Sequence, residues 1–466
     1  SRDEISAVVW AGKVVSDGAI SSRIKTLRQA LGDDGRAQRY IRTAHGTGFR
    51  FVGTLGGDHD GPEVPATVDA GTDRPVVAVM PFANQSGDPG QDYFSDAVSQ
   101  DIITLLARHR WLSVLARNST FGYRGQSPDL KSLAGELGAN YVIDGAVRRA
   151  GDRIRITAAL SDAASGEQLW SERYDRQLDD IFELQDEITA RIVGCLEPEI
   201  GLAERSKVTR ANRTNLQAWD YYHLGIAHFF RFTAGDNLRA QELLARSREL
   251  DPEFGEAHAW WAYAVVLGMV YWDTDPTQSA LDSALEATRR ALSIDDRNAI
   301  FYALKARVQL ARCEYDAAVS ENQMAIALNP TLAAAHCGLA DSLAYVGKYD
   351  EAVVCFEHAI ELSPNDPQRW AFLTYGALAL IFRGDYGDAI QWTRRASEIP
   401  NCQYWTWAHQ AVAAALLNRG EDAAGAVAQL LEACPGFTVS FAREKLFYLN
   451  REDQRQLYLD GLARAG

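Results

Sequence analysis

A chain of 466 residues with 47% hydrophobic and 10% aromatic residues is long enough for several domains and too apolar for a disordered one. Its formal net charge of −15 excludes a uniformly basic nucleic-acid-binding protein, and no apolar run reaches the ~20 residues that span a bilayer. No signal-peptide pattern opens the chain. Its six cysteines, Cys195, Cys313, Cys337, Cys355, Cys402 and Cys434, form no CxxC pair and sit in apolar, helix-patterned segments. That usage points to buried thiols in a reducing, cytoplasmic setting, not to disulfides or a metal site.

Charge is unevenly spread. Residues 1–53 carry nine Lys/Arg against five acids, whereas the remainder carries 38 against 57. The asymmetry suggests a polyanion-binding head on a body that polyanions would avoid. Within the head, "RDEISAVVW" predicts a short helix burying Ile5, Val8 and Val9 or Trp10. Ser16 or Asp17 then offers an N-cap for a longer helix, because either side-chain oxygen can accept a free backbone N–H. Ile20, Ile24, Leu27 and Leu31 mark its apolar face, and Gly32 ends it. Its other face shows Ser21, Arg23, Lys25, Thr26, Arg28 and Gln29. "RYIRTAH" and "FRFVG" around Gly46 and Gly48 predict a two-stranded hairpin carrying Arg39, Arg42, His45 and Arg50. Helix, turn, basic helix and basic hairpin suit duplex DNA: a helix for the major groove, a hairpin for an adjacent minor groove, and cations for the phosphates.

The segments "SRDEISAVVW" and "SSRIKTLRQALGDDGRAQRYIRTAHGTGFRFVG" resemble the C-terminal two-thirds of an OmpR/PhoB-type winged helix. The resemblance implies that Ile20–Leu31 is the recognition helix, with Arg23, Lys25 and Thr26 near bases and Arg28 and Arg42 near phosphates. His45 falls at the wing tip, a position often held by arginine in that family. The DNA-facing set is then Ser21, Arg23, Lys25, Thr26, Arg28, Arg42, His45 and Arg50. The family's first small sheet and first helix have no counterpart before Ser1, so the head reads as a partial, trimmed winged helix. No phosphoacceptor receiver pattern is visible.

Residues 54–74, rich in Gly, Pro and Asp, read as a flexible acidic tether. An α/β domain is expected over 75–205. "PVVAVMPF" is a buried-strand pattern, "DYFSDAVSQDIITLLARHRWL" an amphipathic helix, and "NYVIDGAVRRAGDRIRITAALSDAASGEQLWSERYDR" several strands around Gly-containing turns. "IFELQDEITARIVGCLEPEI" closes the domain with a helix. Asp96, Asp101, His109 and Asp144 are the titratable groups worth weighing as acid, base or metal ligands. Asp96 and Asp101, five residues apart, diverge on the helix, so surface or capping roles are expected. "GDPG" is a turn, because no Gly-Lys-Ser/Thr follows it. Residues 75–200 resemble the TolB-N-terminal-like module, which implies a sensory or protein-interaction role and no catalytic set.

From residue 215 the chain repeats. "EYDAAVSENQMAIALNP" and "KYDEAVVCFEHAIELSP" align without a gap at an offset of 34, Tyr315 on Tyr349 and Pro330 on Pro364. Six units start near 215, 255, 298, 332, 367 and 403, and the pattern resembles the tetratricopeptide repeat: two antiparallel helices per unit over 215–435. Small residues at the crossings are Ala240, Ala284, Ala318, Ala352 and Ala389. Stacked units form one solenoid, since a single unit cannot bury its apolar face. Its concave groove is expected to present Tyr221, His228, Trp260, Tyr302, Gln309, His336 and Leu343 to a protein or peptide partner. Residues 436–466 are expected to cap the last unit.

The fold class is therefore multidomain: a partial winged helix, an α/β TolB-N-like middle domain and an all-α tetratricopeptide solenoid. The expected function is a cytoplasmic DNA-binding transcriptional regulator with a sensory or interaction body. The alternative is a repeat scaffold with a head that no longer binds DNA. Double-stranded DNA and a protein or peptide are the expected partners, a membrane is not, and a homodimer is one compatible arrangement. No cofactor, metal site or enzyme activity is expected, since no nucleophile–base pair, metal cluster or phosphate loop stands out.

Overall fold

A computed structural model describes residues 41–44, 48–51, 74–125, 129–151, 153–177, 181–210, 217–272 and 274–466. The chain divides into two compact units, Ser1–Thr72 and Asp73–Gly466. Five positions of the expected recognition helix, Ser21, Arg23, Lys25, Thr26 and Arg28, lie outside the described residues, as do His45 and the tether through residue 73.

The first unit contributes strands β1 (Ile41–Ala44) and β2 (Gly48–Phe51), paired antiparallel as the alternating pattern predicts. The register sets Arg42 opposite Arg50, Ile41 opposite Phe51 and Thr43 opposite Phe49.

The second unit begins with a mixed sheet of β3 (Val76–Val79), β4 (Ala83–Asn84), β5 (Ser113–Val114), β6 (Tyr141–Ala150), β7 (Arg153–Asp162) and β8 (Gln168–Gln177). The order is β5-β3-β6-β7-β8, with β4 also beside β6. The near-continuous apolar run of β3 fits a central strand pairing in parallel with β5 and β6, buried on both sides. β6, β7 and β8 form an antiparallel meander. Its second turn is organised by Asp162, whose Oδ1 accepts the N–H groups of Ala164 (3.1 Å) and Ser165 (2.9 Å) before Gly166 takes φ +76°.

Three helices dress this sheet before the solenoid: α1 (Asp92–Leu106), the one-turn α2 (Arg117–Thr120) and α3 (Leu130–Leu137). Val98, Ile102 and Leu106 of α1 bury against Val77, Val79, Ile143, Ile156 and Leu160 on one face. Leu133 of α3 joins Ala78, Met80 and Val142 on the other. A fourth helix, α4 (Ile181–Arg210), adds Ile188, Ile192 and Leu196 to the first core and runs on beyond the sheet.

Six antiparallel helix pairs follow: α5 (Ala218–Phe229) with α6 (Ala234–Leu250), α7 (Gly255–Tyr271) with α8 (Gln278–Ile294), and α9 (Ala299–Ala311) with α10 (Tyr315–Leu328). Next come α11 (Ala333–Val346) with α12 (Tyr349–Leu362), α13 (Arg369–Arg383) with α14 (Tyr386–Ser397), and α15 (Trp405–Leu416) with α16 (Gly420–Ala433). The five crossing alanines, Ala240, Ala284, Ala318, Ala352 and Ala389, are fully buried, as close helix approach requires. Gly376 serves the same purpose: a Cβ there would lie 2.2 Å from the Trp392 ring.

The solenoid closes on itself. Tyr271 of α7 meets Tyr375 of α13, Oη to Oη at 2.6 Å, and Tyr404 Oη reaches the carbonyls of Val270 (3.3 Å) and Tyr271 (3.2 Å). Two last helices, α17 (Val439–Lys445) and α18 (Glu452–Ala465), do more than cap the final pair. Lys445 Nζ donates to Met269 O (3.2 Å), Tyr315 Oη to Tyr448 O (2.5 Å) and Gln454 Nε2 to Ala344 O (2.8 Å). The C-terminal segment thus packs back onto α7, α10 and α11, where the sequence suggested a groove left open for a partner. The physical reason is aromatic: Tyr271, Trp370, Tyr375, Tyr404 and Trp405 have more apolar surface than one face can bury, and they bury it on one another. No helix among the described residues is long and apolar enough to cross a membrane.

Candidate functional site

The seven residues assigned to a partner groove have separate surroundings, and Leu343 is buried on α11. Tyr302 Oη donates to Asp296 O at 3.0 Å, and His336 Nε2 to Pro330 O at 2.9 Å, so both tie down turns between helices. His228 Nδ1 lies 2.6 Å from Asp236 Oδ1 at the α5–α6 turn. Tyr221 is half-buried on α5, and Gln309 is buried on α9. Of the seven, only Trp260 lines the cavity between the α/β domain and the solenoid, stacking edge-on with Phe229 and Phe230.

That cavity, of about 130 Å³, lies where the α/β domain meets the solenoid. Its walls come from α4, from the loop after α1 and from the starts of the inner helices. The joint depends on two residues of α4. Gly194 lets the chain approach so closely that a Cβ there would lie 2.0 Å from Leu362 O. Pro198, four residues on, has no N–H for the Gly194 carbonyl, and Ser363 Oγ donates to that carbonyl instead at 2.9 Å. Nearby, His109 is buried with Nε2 3.2 Å from Asn329 Nδ2 and 3.3 Å from Thr331 Oγ1. With the amide donating, Nε2 is an acceptor and the ring neutral, in keeping with a pKa that burial lowers to about 4. Arg110 pairs with Asp295 across the same joint at 3.1 Å.

Inside, Glu197, Glu256, Asp366, Arg205 and His223 converge. Burial raises the pKa of all three carboxyls, that of Asp366 to about 7. Glu197 accepts from Trp111 Nε1 at 3.0 Å, and Arg205 stacks on Phe230 at 4.8 Å. Burial, reinforced by Arg205, lowers the His223 pKa to about 3. His223 is 4% exposed, and neither ring nitrogen has a hydrogen-bond partner. Desolvated groups of both signs and a bare imidazole can hold a small polar molecule and exchange protons with it.

Of the other titratable candidates, Asp96 accepts from Arg117 (3.4 Å) and Arg124, and Asp101 from Gln185 of α4. Asp144 sits on β6 opposite Ala159. Asp96 and Asp101 thus tie elements together, and of the four only His109 reaches the cavity wall. Among the described residues no group of three or more His, Cys, Asp or Glu could hold a metal ion. None of the six cysteines forms a disulfide; Cys195 and Cys337 are buried and the other four half-buried. Glu197, Arg205, His223, Glu256 and Asp366 escaped the sequence reading as a site because they come from α4, α5, α7 and the loop after α12 with no fixed spacing.

Comparison with known proteins fits this division. Residues 1–51 match the family model "Transcriptional regulatory protein, C terminal", and residues 333–366 match "Tetratricopeptide repeat". "Putative adenylate cyclase 3" of Rhizobium meliloti (strain 1021) is 38% identical over 234 residues, 50% of this chain. The chain spans 39% of that relative's length. Among solved structures, a thermophilic tetratricopeptide protein of Thermus thermophilus is 18% identical with a TM-score of 0.33, covering 39% of this chain and 90% of its own. The Cut9-Hcn1 assembly is 15% identical with a TM-score of 0.42, covering 62% and 49% respectively. The chain thus joins a segment of the regulatory-protein type to tetratricopeptide repeats.

Proposed function

We propose that the protein is a DNA-binding transcriptional regulator whose body reads a signal at the junction cavity. One observation carries the DNA reading: in the unit that matches the regulatory family, the hairpin sets Arg42 directly opposite Arg50. Like charges facing one another across a strand pair work against pairing, and a phosphate between them would offset that cost. The positive charge of residues 1–53 supports it. The cavity supports the sensing role, because a small polar ligand there would touch both the α/β domain, which we read as TolB-N-terminal-like, and the first four helix pairs. A protein partner would then dock outside the solenoid, whose inner face the C-terminal segment already uses.

A second, catalytic reading rests on the relative's printed name. Incubation of the purified chain with ATP and Mg²⁺ or Mn²⁺ decides it: pyrophosphate release would favour catalysis. For the regulator, selection of bound fragments from random duplex DNA is expected to yield one enriched sequence. Arg23→Ala or Lys25→Ala is expected to weaken that sequence by ~1–3 kcal/mol while sparing non-specific DNA. Uniform loss on all sequences would move both residues to phosphate contact, and no enrichment would favour the scaffold.

A further inference from the structure

β8 is the outermost strand of the sheet, and among the described residues no backbone group pairs with its outer edge. At ten residues it is a long edge, the kind that invites another strand. Its central charges read Glu172-Arg173-Tyr174-Asp175-Arg176. Turned about Tyr174, this order meets its own opposite: Glu172 falls beside Arg176, and Arg173 beside Asp175. The match is specific to one register. A slip of one residue sets Glu172 against Asp175 or Arg173 against Arg176, and a slip of two sets Arg173 or Asp175 against itself.

The surroundings favour that register. Arg173 and Asp175 lie on the open face of the sheet, with side chains 61% and 36% exposed. Asp175 is already held from β7 by Arg155, through Nε at 2.6 Å and Nη2 at 3.2 Å, at the directly opposing position. A second copy would extend this pair into a row: Arg155, Asp175, then Arg173 of the other copy beside its Thr157. The two-fold axis generates the row twice. On the helix-covered face, Arg176 donates to Glu187 (3.2 Å) and Glu172 accepts from Tyr174 Oη (3.0 Å).

We propose that β8 pairs antiparallel with β8 of a second copy of this chain, centred on Tyr174, making one sheet continuous across a two-fold axis. Such a dimer carries two DNA-binding heads, matching the paired half-sites that dimeric regulators read. It goes beyond the regulator reading and is tested without DNA, so either can fail alone.

The experiment is sedimentation analysis of the full chain over micromolar concentrations, with melting curves to confirm folding. The wild type is expected to dimerise. Arg173→Asp sets two acids against each other twice, and Asp175→Arg does the same with two cations; each is expected to weaken the dimer roughly tenfold or more. Mixed in equal amounts, the two variants are mutually complementary, and a heterodimer of wild-type strength is expected. Should Asp175→Arg unfold by facing Arg155, Arg155→Asp combined with Asp175→Arg keeps the cross-strand pair and replaces it. A monomeric wild type, a dimer indifferent to both variants, or a mixture that stays monomeric would each overturn the proposal. The first outcome would mean that the charges only blunt the edge.

Discussion

The solenoid interior and the junction with the α/β domain are both buried, yet they are held by opposite means. Inside the solenoid, crossing alanines and interlocked aromatic rings fill the space, and the hydroxyls of Tyr271, Tyr375 and Tyr404 bond to one another or to carbonyls. At the junction, carboxyls, a guanidinium and imidazoles are buried together, and a helix is docked through a glycine and a proline. An apolar interior is strong and indifferent to conditions. A polar one is weaker, and protons or a ligand can move it.

The largest expected effect lies in the solenoid. Trp370 is fully buried between Phe232 and Tyr271, and Trp370→Ala should cost ~3–5 kcal/mol in the denaturation midpoint of the whole unit. A loss under ~1 kcal/mol would show that these rings do not hold the coil closed. Next comes the junction itself. Gly194→Ala puts a methyl group against the Leu362 carbonyl, and ~1–3 kcal/mol of destabilisation is expected. Its signature differs from that of Trp370→Ala: proteolysis should open α4 while the helix pairs stay protected. Ser363→Ala is milder, ~1–2 kcal/mol, because it leaves the Gly194 carbonyl without its donor beside Pro198.

The effect that is smallest at neutral pH is the most diagnostic, since it grows only as the pH falls. His223 titrates at 6.5 when unfolded and at about 3 when folded, so the unfolded chain takes the proton first. Stability is therefore lost as pH falls from 6.5 toward 3, by up to roughly 1.4 kcal/mol per pH unit from this group. His223→Phe removes that loss, and its melting temperature should gain on the wild type steadily below pH 6.5. Parallel curves would mean that the imidazole is not desolvated.

This contrast also explains what could be read in advance. The helix pairs were legible because a repeat imposes spacing: Ala318 and Ala352 sit at equivalent crossings, and Tyr315 and Tyr349 open equivalent helices. The strands were legible from alternation around Gly151 and Gly166, both at positive φ. The closure of the coil was not, because Tyr271 meets Tyr375 across 104 residues with no periodic trace. Nor was the cavity, whose groups acquire their character only from a joint between α4 and the solenoid. Gly194 and Pro198 were visible as residues, but the partner of the carbonyl they free, Ser363, lies 169 positions away.

The most direct test is duplex binding by the intact chain as salt is varied. Binding should be detectable at low ionic strength, and log K should fall linearly with log salt. Arg42→Ala and Arg50→Ala should each reduce that slope by about 1. No measurable binding at low salt, or binding that salt and both substitutions leave unchanged, would contradict a DNA-reading head.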